Sequence, residues 1–311
     1  MRLVVVGAGA VGGYLGARLT CAGRDVTLIA RGPHLAAMRE RGVRVRSPEG
    51  DFEARPAVAA DPESVGPADV VVLGVKAHGL PDLAPRLGPM LGPDTVVMST
   101  QNGIPWWFTP LERVDPGGVI AAAIEARRVV GSIVYFSAEV AEPGVIRHID
   151  GSRISLGEPA GGRSERCHAI AETLRDAGLR CTVTAHLREE VFVKLMGNAA
   201  FNPISALTGA TLAEMTRHPD VSDLARKIMA EVEAVAAGLG MRLPVSIERR
   251  MAGAGEVGDH KTSMLQDFEA GRPLELEAVV GALVELGERL GIPTPHTRAV
   301  YACAKLRAER R

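Results

Sequence analysis

The residues between Val191 and Leu207 carry the side chains best suited to proton chemistry. Within this otherwise apolar stretch, Lys194, Asn198 and Asn202 recur at every fourth position. Residues spaced in this way lie on one face of a helix. The remaining faces are apolar, so we expect the helix to be buried, and burial lowers the pKa of a lysine toward the range of a useful general acid. The pattern therefore predicts a proton-donating lysine accompanied by two amides.

A less specific interpretation of the same residues stays open. Lys194 can extend its charged end into solvent while the asparagines cap backbone groups, or it can form a surface ion pair with Glu190. Pro203 follows Asn202 directly, and a proline at this point is expected to kink or end the helix.

Residues 1–31 have the pattern of a dinucleotide-binding site. The apolar run Leu3–Val6 predicts a strand that leads into a G-x-G-x-x-G motif, and residues 14–21 can continue as a helix. In such motifs the glycines permit a tight turn, a close approach to a diphosphate and close packing of helix on strand. The motif comprises Gly7, Ala8, Gly9, Ala10, Val11 and Gly12. The alternatives are a glycine-rich turn without a ligand and a cleaved secretory segment.

The residue that ends the second predicted strand indicates which dinucleotide is bound. Sites for NAD usually have an aspartate or glutamate there, which accepts a hydrogen bond from the ribose 2′-hydroxyl. This chain has Arg31 at that position, and the next carboxylate is Glu40. Because a guanidinium is suited to a 2′-phosphate, we expect NADP(H) as the cofactor. The alternative is a solvated surface arginine.

Lys76 and Asn102 each follow a predicted strand. The continuous apolar runs over 69–75 and 95–100 are typical of strands buried on both faces of a parallel sheet. Ligands bind beyond the carboxyl ends of such strands, so we expect both residues to join the glycine-rich loop at one edge of the sheet. Taken singly, each residue favours a simpler interpretation, Lys76 as a solvated lysine and Asn102 as part of an Asn-Gly turn.

Composition is that of an ordinary globular protein. The chain has 311 residues, 46% of them hydrophobic, and its length suggests two domains. Its 36 lysines and arginines nearly balance its 37 aspartates and glutamates without a basic run, so we expect no nucleic-acid partner. We also expect no membrane span and no metal, because no apolar run is long enough and no cysteine or histidine group has metal-ligand spacing. Scattered cysteines favour a cytoplasmic location.

The remaining pattern divides the chain into two domains. Residues 119–157 contain short apolar segments between turn residues, including Ile120–Ile124, and predict an antiparallel meander that extends the first sheet. A further helix and strand complete this domain, and only helices are predicted after residue 185. The predicted fold class is therefore α/β, with a Rossmann-type dinucleotide-binding domain over 1–185 and an all-helical substrate and catalytic domain over 186–311.

These features together resemble the ketopantoate reductase (2-dehydropantoate 2-reductase) family over nearly the whole chain. The most specific elements are the lysine and asparagine face of residues 194–202 and the segment 263–267 followed by Glu275. The resemblance implies NADPH-dependent reduction of the C2 ketone of 2-dehydropantoate to (R)-pantoate, on the route to pantothenate and coenzyme A. It also rests on the glycine-rich motif, Arg31, Lys76 and residues 101–103.

The resemblance also implies the catalytic roles. Lys194 corresponds to the general acid that protonates the developing alkoxide. Asn102 corresponds to the residue that lies by the nicotinamide ribose and helps to place the lysine, and Glu275 to the one that orients the lysine and the cofactor. The residues themselves support this chemistry, because hydride addition to a ketone leaves negative charge on oxygen, which a nearby ammonium stabilises and then protonates.

The binding residues follow from the same resemblance. Asn198 and Asn202 are expected to hold the hydroxyl end of the substrate, Ser263 its carboxylate, and Arg31 and Lys76 the phosphates of the cofactor. We expect a cleft between the two domains that closes around a small 2-oxo acid and excludes water.

Three alternative functions are compatible with the sequence, and one oligomeric state is expected. Trp106 and Trp107 make the loop after Asn102 bulkier than the family pattern; they can form the wall of a pocket for another 2-oxo acid, or can pack the loop onto its own domain. An opine-type or other 2-hydroxyacid dehydrogenase shares the first domain but has no need of Lys194 with both asparagines. A regulator that senses NADPH tolerates the loss of Lys194. A homodimer through the helical domain is a further expectation.

Overall fold

The computed structural model describes residues 1–310, which form two compact units. Unit 1 comprises Met1–Gln101 and Gly118–Leu187, and unit 2 comprises Asn102–Gly117 together with the chain from Arg188 onward. The sequence-based division after residue 185 placed the segment 102–117 in the first domain, whereas its contacts assign it to unit 2.

Unit 1 is an α/β structure, and the α/β fold class predicted from sequence is confirmed. Its strands are β1 (Arg2–Val6), β2 (Asp25–Ile29), β3 (Val43–Arg46), β4 (Phe52–Ala54), β5 (Ala57–Ala59), β6 (Val70–Leu73), β7 (Val96–Ser99), β8 (Val129–Val134), β9 (Ser137–Glu142), β10 (Val145–Asp150), β11 (Arg153–Gly157) and β12 (Arg180–Val183). Its helices are α1 (Ala10–Cys21), α2 (Gly32–Arg41), α3 (Leu80–Leu83), α4 (Val119–Ala123) and α5 (Glu165–Asp176).

The main sheet of unit 1 has eight strands in the order β12-β11-β8-β7-β6-β1-β2-β5. The run from β8 to β5 is parallel throughout, and β11 pairs antiparallel with β8. Strands β6 and β8 are buried along their whole length, as their continuous apolar sequences predict for strands covered on both faces. The parallel arrangement brings the carboxyl ends of β1, β2 and β6 to one edge.

The predicted meander over 119–157 is only partly correct. Strands β9 and β10 leave the main sheet and join β3 and β4 in a separate four-stranded sheet, in the order β4-β3-β10-β9. Ile120–Ile124 was predicted as a strand, but this segment is mostly helix α4, which begins after two glycines with positive φ, Gly117 and Gly118. A short apolar run does not distinguish strand from helix, and three consecutive alanines favour the helix.

Helices make up most of unit 2. They are α6 (Leu187–Thr208), α7 (Leu212–Arg217), α8 (Pro219–Gly238), α9 (Ile247–Glu256), α10 (Ser263–Glu269), a π-helical turn (Glu277–Gly281), α11 (Ala282–Leu290) and α12 (Pro295–Glu309). Within residues 1–310 none of the helices is both long and apolar enough to cross a membrane.

Helix α6 does not end at Asn202, as Pro203 suggested, but continues to Thr208. Proline removes only one helical hydrogen bond, and the residues that follow it, Ile204 and Ala206, are buried. Burial of an apolar face supplies more helix stability than intrinsic propensity does, so packing outweighs the local cost of the proline.

The segment Asn102–Gly117 is attached to unit 2 by hydrogen bonds to α11 and to the π-helical turn. The amide of Ile104 donates to the carbonyl of Ala278 at 2.9 Å. The buried carboxylate of Glu285 accepts the amides of Glu112 at 2.9 Å and of Arg113 at 3.0 Å. These bonds join residues that are more than 170 positions apart in sequence. A division of the chain by sequence order therefore assigned the segment to the first domain.

We predict that Glu285→Ala lowers the free energy of unfolding of unit 2 by about 2–3 kcal/mol, because two amides lose a charged acceptor and become unsatisfied. Urea unfolding followed by circular dichroism measures this. The matched control is Glu233→Ala on α8, where the side chain is exposed. Equal midpoints for the two variants would contradict the anchoring role of Glu285.

Candidate active site

Three polar side chains of unit 2 form a hydrogen-bonded chain around the amine of Lys194. The Lys194 Nζ donates to the Asn102 Oδ1 at 2.7 Å. The Asn102 Nδ2 in turn donates to the Glu275 Oε2 at 3.3 Å. The asparagine therefore connects an ammonium to a carboxylate, and both ends of its amide are used.

The backbone at Gly103 determines where Asn102 lies. Gly103 has φ of +86°, and a Cβ at this position would lie 2.8 Å from the Val279 amide nitrogen and closer still to the Ala278 carbonyl. Only glycine fits this conformation and this approach without strain. The Asn-Gly pair thus packs directly on the π-helical turn that follows Glu275. Such turns are frequent at functional sites.

The electrostatic environment of Lys194 makes its amine easier to deprotonate. Desolvation is the main cause that lowers the pKa of Lys194 to about 8, and repulsion from Arg250 acts in the same direction. The carboxylate of Glu275 opposes both by favouring the ammonium. At neutral pH the amine is therefore mostly protonated, yet it can release and recover its proton near physiological pH.

The other residues predicted for the substrate lie in unit 2 but do not join this chain of bonds. Asn198 and Asn202 follow Lys194 on the same face of α6; Asn198 is half-buried and Asn202 is buried. Ser263 is the exposed first residue of α10. Among residues 1–310, none of these three side chains hydrogen bonds to Lys194, Asn102 or Glu275.

In unit 1 the glycine-rich motif forms the turn from β1 into α1. Gly7 has φ of +97°, and a Cβ there would lie 2.7 Å from the Val75 amide nitrogen. Gly9 is the residue before α1, and no side chain caps the N-terminus of this helix. A Cβ added to Gly9 would lie in open space, with nothing from other parts of the chain within 4 Å. The first turn of α1 has no acidic residue. The loop thus combines close backbone packing with open space at a helix N-terminus, an arrangement that fits a diphosphate.

Arg31 and Lys76 lie at the same edge of the parallel sheet as this turn. Arg31 is exposed and precedes α2 just after the end of β2. Lys76 is half-buried and follows β6, which pairs with β1. Gly7, Arg31 and Lys76 therefore follow the carboxyl ends of three neighbouring parallel strands, as predicted from the sequence.

His34 supports the glycine-rich loop, and the sequence analysis did not identify it. Its Nδ1 accepts the Gly144 amide at 2.9 Å, so its Nε2 carries the proton and donates to the Ala8 carbonyl at 2.8 Å. Burial lowers the pKa of His34 and keeps the ring neutral. The imidazole therefore connects the glycine-rich loop to the turn between β9 and β10, a link between positions 110 apart that no local pattern indicates.

The aromatic segment after Asn102 packs within unit 2. Trp106 and Phe108 are only 4% exposed each, and the Phe108 ring lies 5.5 Å from that of Phe192 on α6. The Arg188 guanidinium lies over the Phe108 ring, with its Cζ 3.7 Å from the ring centroid, and donates to the Phe108 backbone carbonyl at 2.9 Å. Trp106 is thus a core residue, whereas Trp107 is partly exposed.

Comparison with known families identifies both parts of the chain. Residues 3–161 match the family model described as ketopantoate reductase PanE/ApbA, and residues 186–308 match the model of its C-terminal part. The matched ranges together span most of the chain.

Individual relatives agree with these matches. The chain is 47% identical to a 2-dehydropantoate 2-reductase of Mesorhizobium japonicum, over 98% of this chain and 97% of the relative. A crystal structure from Ralstonia solanacearum, provisionally named a ketopantoate reductase, superposes with a TM-score of 0.95 at 39% identity and covers 100% of this chain and 98% of that one. The crystal structure of 2-dehydropantoate 2-reductase from Methylococcus capsulatus superposes with a TM-score of 0.86 at 32% identity and covers 100% of this chain and 97% of that one.

We predict that the Lys194 side-chain NMR signal, in protein with isotope-labelled lysine, titrates with a midpoint near pH 8. Glu275→Gln should lower this midpoint, because it removes the attraction that favours the ammonium. The variant Lys194→Arg identifies the signal by its disappearance. A midpoint near the ordinary lysine value of about 10.4 would contradict the desolvated environment.

Proposed function

The chain belongs to the ketopantoate reductase family, and we propose that it reduces the C2 ketone of 2-dehydropantoate to (R)-pantoate with NADPH, in pantothenate and coenzyme A biosynthesis. The observation that carries this proposal is the lysine amine held by Asn102 beside Glu275, on a chain 47% identical to a protein named for this reaction. The chain is accordingly an oxidoreductase that acts on a CH–OH group.

The cofactor is NADP(H), as in the family, and when bound it supplies the hydride. We assign the diphosphate to the glycine-rich loop, and the 2′-phosphate to Arg31 with Lys76 nearby. The open space at Gly9 and the uncapped N-terminus of α1 support the first assignment. An exposed guanidinium after β2, where NAD sites have a carboxylate, supports the second.

Lys194 is the proton donor of the proposed reaction. As the ketone carbon is reduced, negative charge develops on its oxygen, which the ammonium stabilises and then protonates. Asn102 accepts one N–H of the amine and thereby orients the others. Glu275 keeps the amine charged in spite of its desolvation. Asn102 and Glu275 also remain our assignments for contacts to the cofactor.

We assign the substrate to the face of α6 that carries Lys194. Asn198 and Asn202 are proposed to hold its hydroxyl end, and Ser263 its carboxylate. Two observations support this assignment. Asn198 and Asn202 share a helix face with Lys194, and, within residues 1–310, none of the three proposed binding residues hydrogen bonds to Lys194, Asn102 or Glu275, so their polar groups are not used within that bonded chain. The cofactor is assigned to residues 1–185 and the substrate to residues 186–311 with the segment 102–117 added.

A homodimer is proposed, as is a cytoplasmic location, which the four free cysteines support.

We predict that the wild type oxidises NADPH with ketopantoate at a higher kcat/KM than with other branched or aromatic 2-oxo acids. Absorbance of NADPH measures this, and kcat/KM should fall above pH 8 as Lys194 loses its proton. Lys194→Ala should fold and bind NADPH but lose about 10²- to 10⁴-fold in turnover, the range for one general acid.

Each other outcome has a distinct meaning. Preference for a bulkier acid would leave the reaction class intact and refute the substrate. Normal turnover of Lys194→Ala would remove this residue from the mechanism. Tight NADPH binding without reduction of any 2-oxo acid would favour a regulator.

We predict that Arg31→Ala raises the Kd for NADPH by about 10- to 100-fold, which corresponds to the loss of a charge-assisted hydrogen bond, and leaves the Kd for NADH nearly unchanged. Fluorescence titration of each nucleotide measures this. Arg39→Ala is the matched control, since Arg39 is exposed on the same helix. An equal loss for both nucleotides would refute the contact to the 2′-phosphate.

A further inference from the structure

Arg113, Glu277 and Tyr301 form a closed set of hydrogen bonds within unit 2, which we call the Glu277 cluster. The Tyr301 hydroxyl donates to the Glu277 Oε1 at 2.7 Å, and the Arg113 Nη1 donates to the Glu277 Oε2 at 3.1 Å. The same Nη1 donates to the Tyr301 oxygen at 2.7 Å. The Lys305 Nζ lies 3.6 Å from the Glu277 Oε1 and adds a second cation. The cluster thus joins the segment 102–117, the π-helical turn and α12.

The donors of the cluster keep their protons while Lys194 titrates. Tyr301 is buried, and desolvation together with the Glu277 carboxylate raises the pKa of its phenol. The Arg113 guanidinium is charged at every working pH. The cluster is therefore already complete in the range near pH 8 in which Lys194 loses its proton.

The cluster lies directly against the turn that follows Glu275. Gly281 ends this turn, and a Cβ added there would lie 2.5 Å from the Glu277 Oε2. The same Cβ would lie 3.0 Å from the Arg113 Cδ and 3.3 Å from the Tyr301 Cε2. The absence of a side chain at Gly281 therefore allows all three members to pack on the turn, and their bonds resist its displacement.

The same turn places Glu275 and Asn102. Its Val279 amide donates to the Glu275 carbonyl at 3.1 Å. Its Ala278 carbonyl accepts the Ile104 amide at 2.9 Å, close to Asn102 in the chain. The bond from the Asn102 Nδ2 to the Glu275 Oε2 is 3.3 Å long, just beyond the usual range of about 2.7–3.2 Å. A small displacement of the turn would therefore break it.

We propose that the Glu277 cluster is a positioning device for the reaction, which holds Glu275 where Asn102 can donate to it. This inference rests on the proposed function and adds to it residues that act through Glu275 rather than on the substrate. Desolvation and Arg250 lower the pKa of Lys194, and Glu275 opposes them. Loss of the cluster should weaken this opposition and make the amine easier to deprotonate.

The main test is Tyr301→Phe, which keeps the buried ring and removes the hydroxyl. The NMR midpoint of Lys194 should fall by about half a pH unit, because Glu275 favours the ammonium less well. The kcat with ketopantoate should fall by about 2- to 30-fold, the range for residues that act through others. The matched control is Glu288→Gln, which removes an ion pair with Arg298 between α11 and α12 and should change neither value.

A second variant makes the test independent of whether Tyr301→Phe folds. The Arg113 side chain is partly exposed, and its backbone amide keeps its bond to Glu285 when the side chain is changed. Arg113→Gln should shift the Lys194 midpoint and kcat in the same directions. Arg113→Lys should recover part of both changes, because it retains the charge beside Glu277.

A double variant shows whether the cluster acts through Glu275. In Glu275→Gln the favourable charge is already absent, so the addition of Tyr301→Phe should leave the Lys194 midpoint unchanged. A further fall as large as that in the wild-type background would overturn the proposal.

The outcomes separate this inference from the proposed function, because the NMR midpoint needs no substrate. If the wild type reduces no 2-oxo acid, the proposed function fails, whereas a lowered midpoint in Tyr301→Phe would still support the positioning of Glu275. A lower free energy of unfolding with wild-type values of the midpoint and kcat would make the cluster merely structural and would overturn the inference.

Discussion

The hydrogen bond from the Lys194 ammonium to the Asn102 Oδ1 is the interaction around which the candidate site of unit 2 is arranged. A partly buried amine with a lowered pKa needs an acceptor in a defined place, because an unsatisfied ammonium is costly to bury. Asn102 can supply that acceptor only because Gly103 packs on the Ala278 carbonyl and Glu285 holds the amides farther along the segment. Backbone docking, rather than side-chain packing alone, thus positions the acceptor of the Lys194 amine.

Much of the candidate site was predictable from the sequence, because local periodicity carries it. The spacing of Lys194, Asn198 and Asn202 defines a helix face, and the glycine pattern after β1 defines a turn. These arrangements depend on residues within a few positions of one another. His34, Glu285 and the position of the segment 102–117 depend instead on contacts between residues far apart in the chain. No periodic pattern records such contacts, which explains why they appeared only in the structure.

The errors in the predicted fold have a common physical origin. Ile120–Ile124 was predicted as a strand, and Pro203 as a kink or the end of a helix, from local preference alone. In both places the surrounding structure decided the outcome: Gly117 and Gly118 precede a new helix, and the buried residues after Pro203 continue an existing one. The strands β9 and β10 lie within the predicted meander over 119–157, but their sequence alternation does not specify which sheet they join. Local preference is a weak prior when burial opposes it.

The π-helical turn Glu277–Gly281 has a consequence for how chain length can vary near the site. A π-turn holds one more residue than the α-helical turn it replaces, and the helix beyond it continues in almost the same direction. Loss of one residue within this turn would therefore leave the angular register of α11 nearly unchanged, whereas loss of one residue within α11 would rotate everything beyond it by about 100° about the axis, given 3.6 residues per turn. The turn thus lets the chain vary by one residue at this point without changing the direction that the Glu285 carboxylate faces.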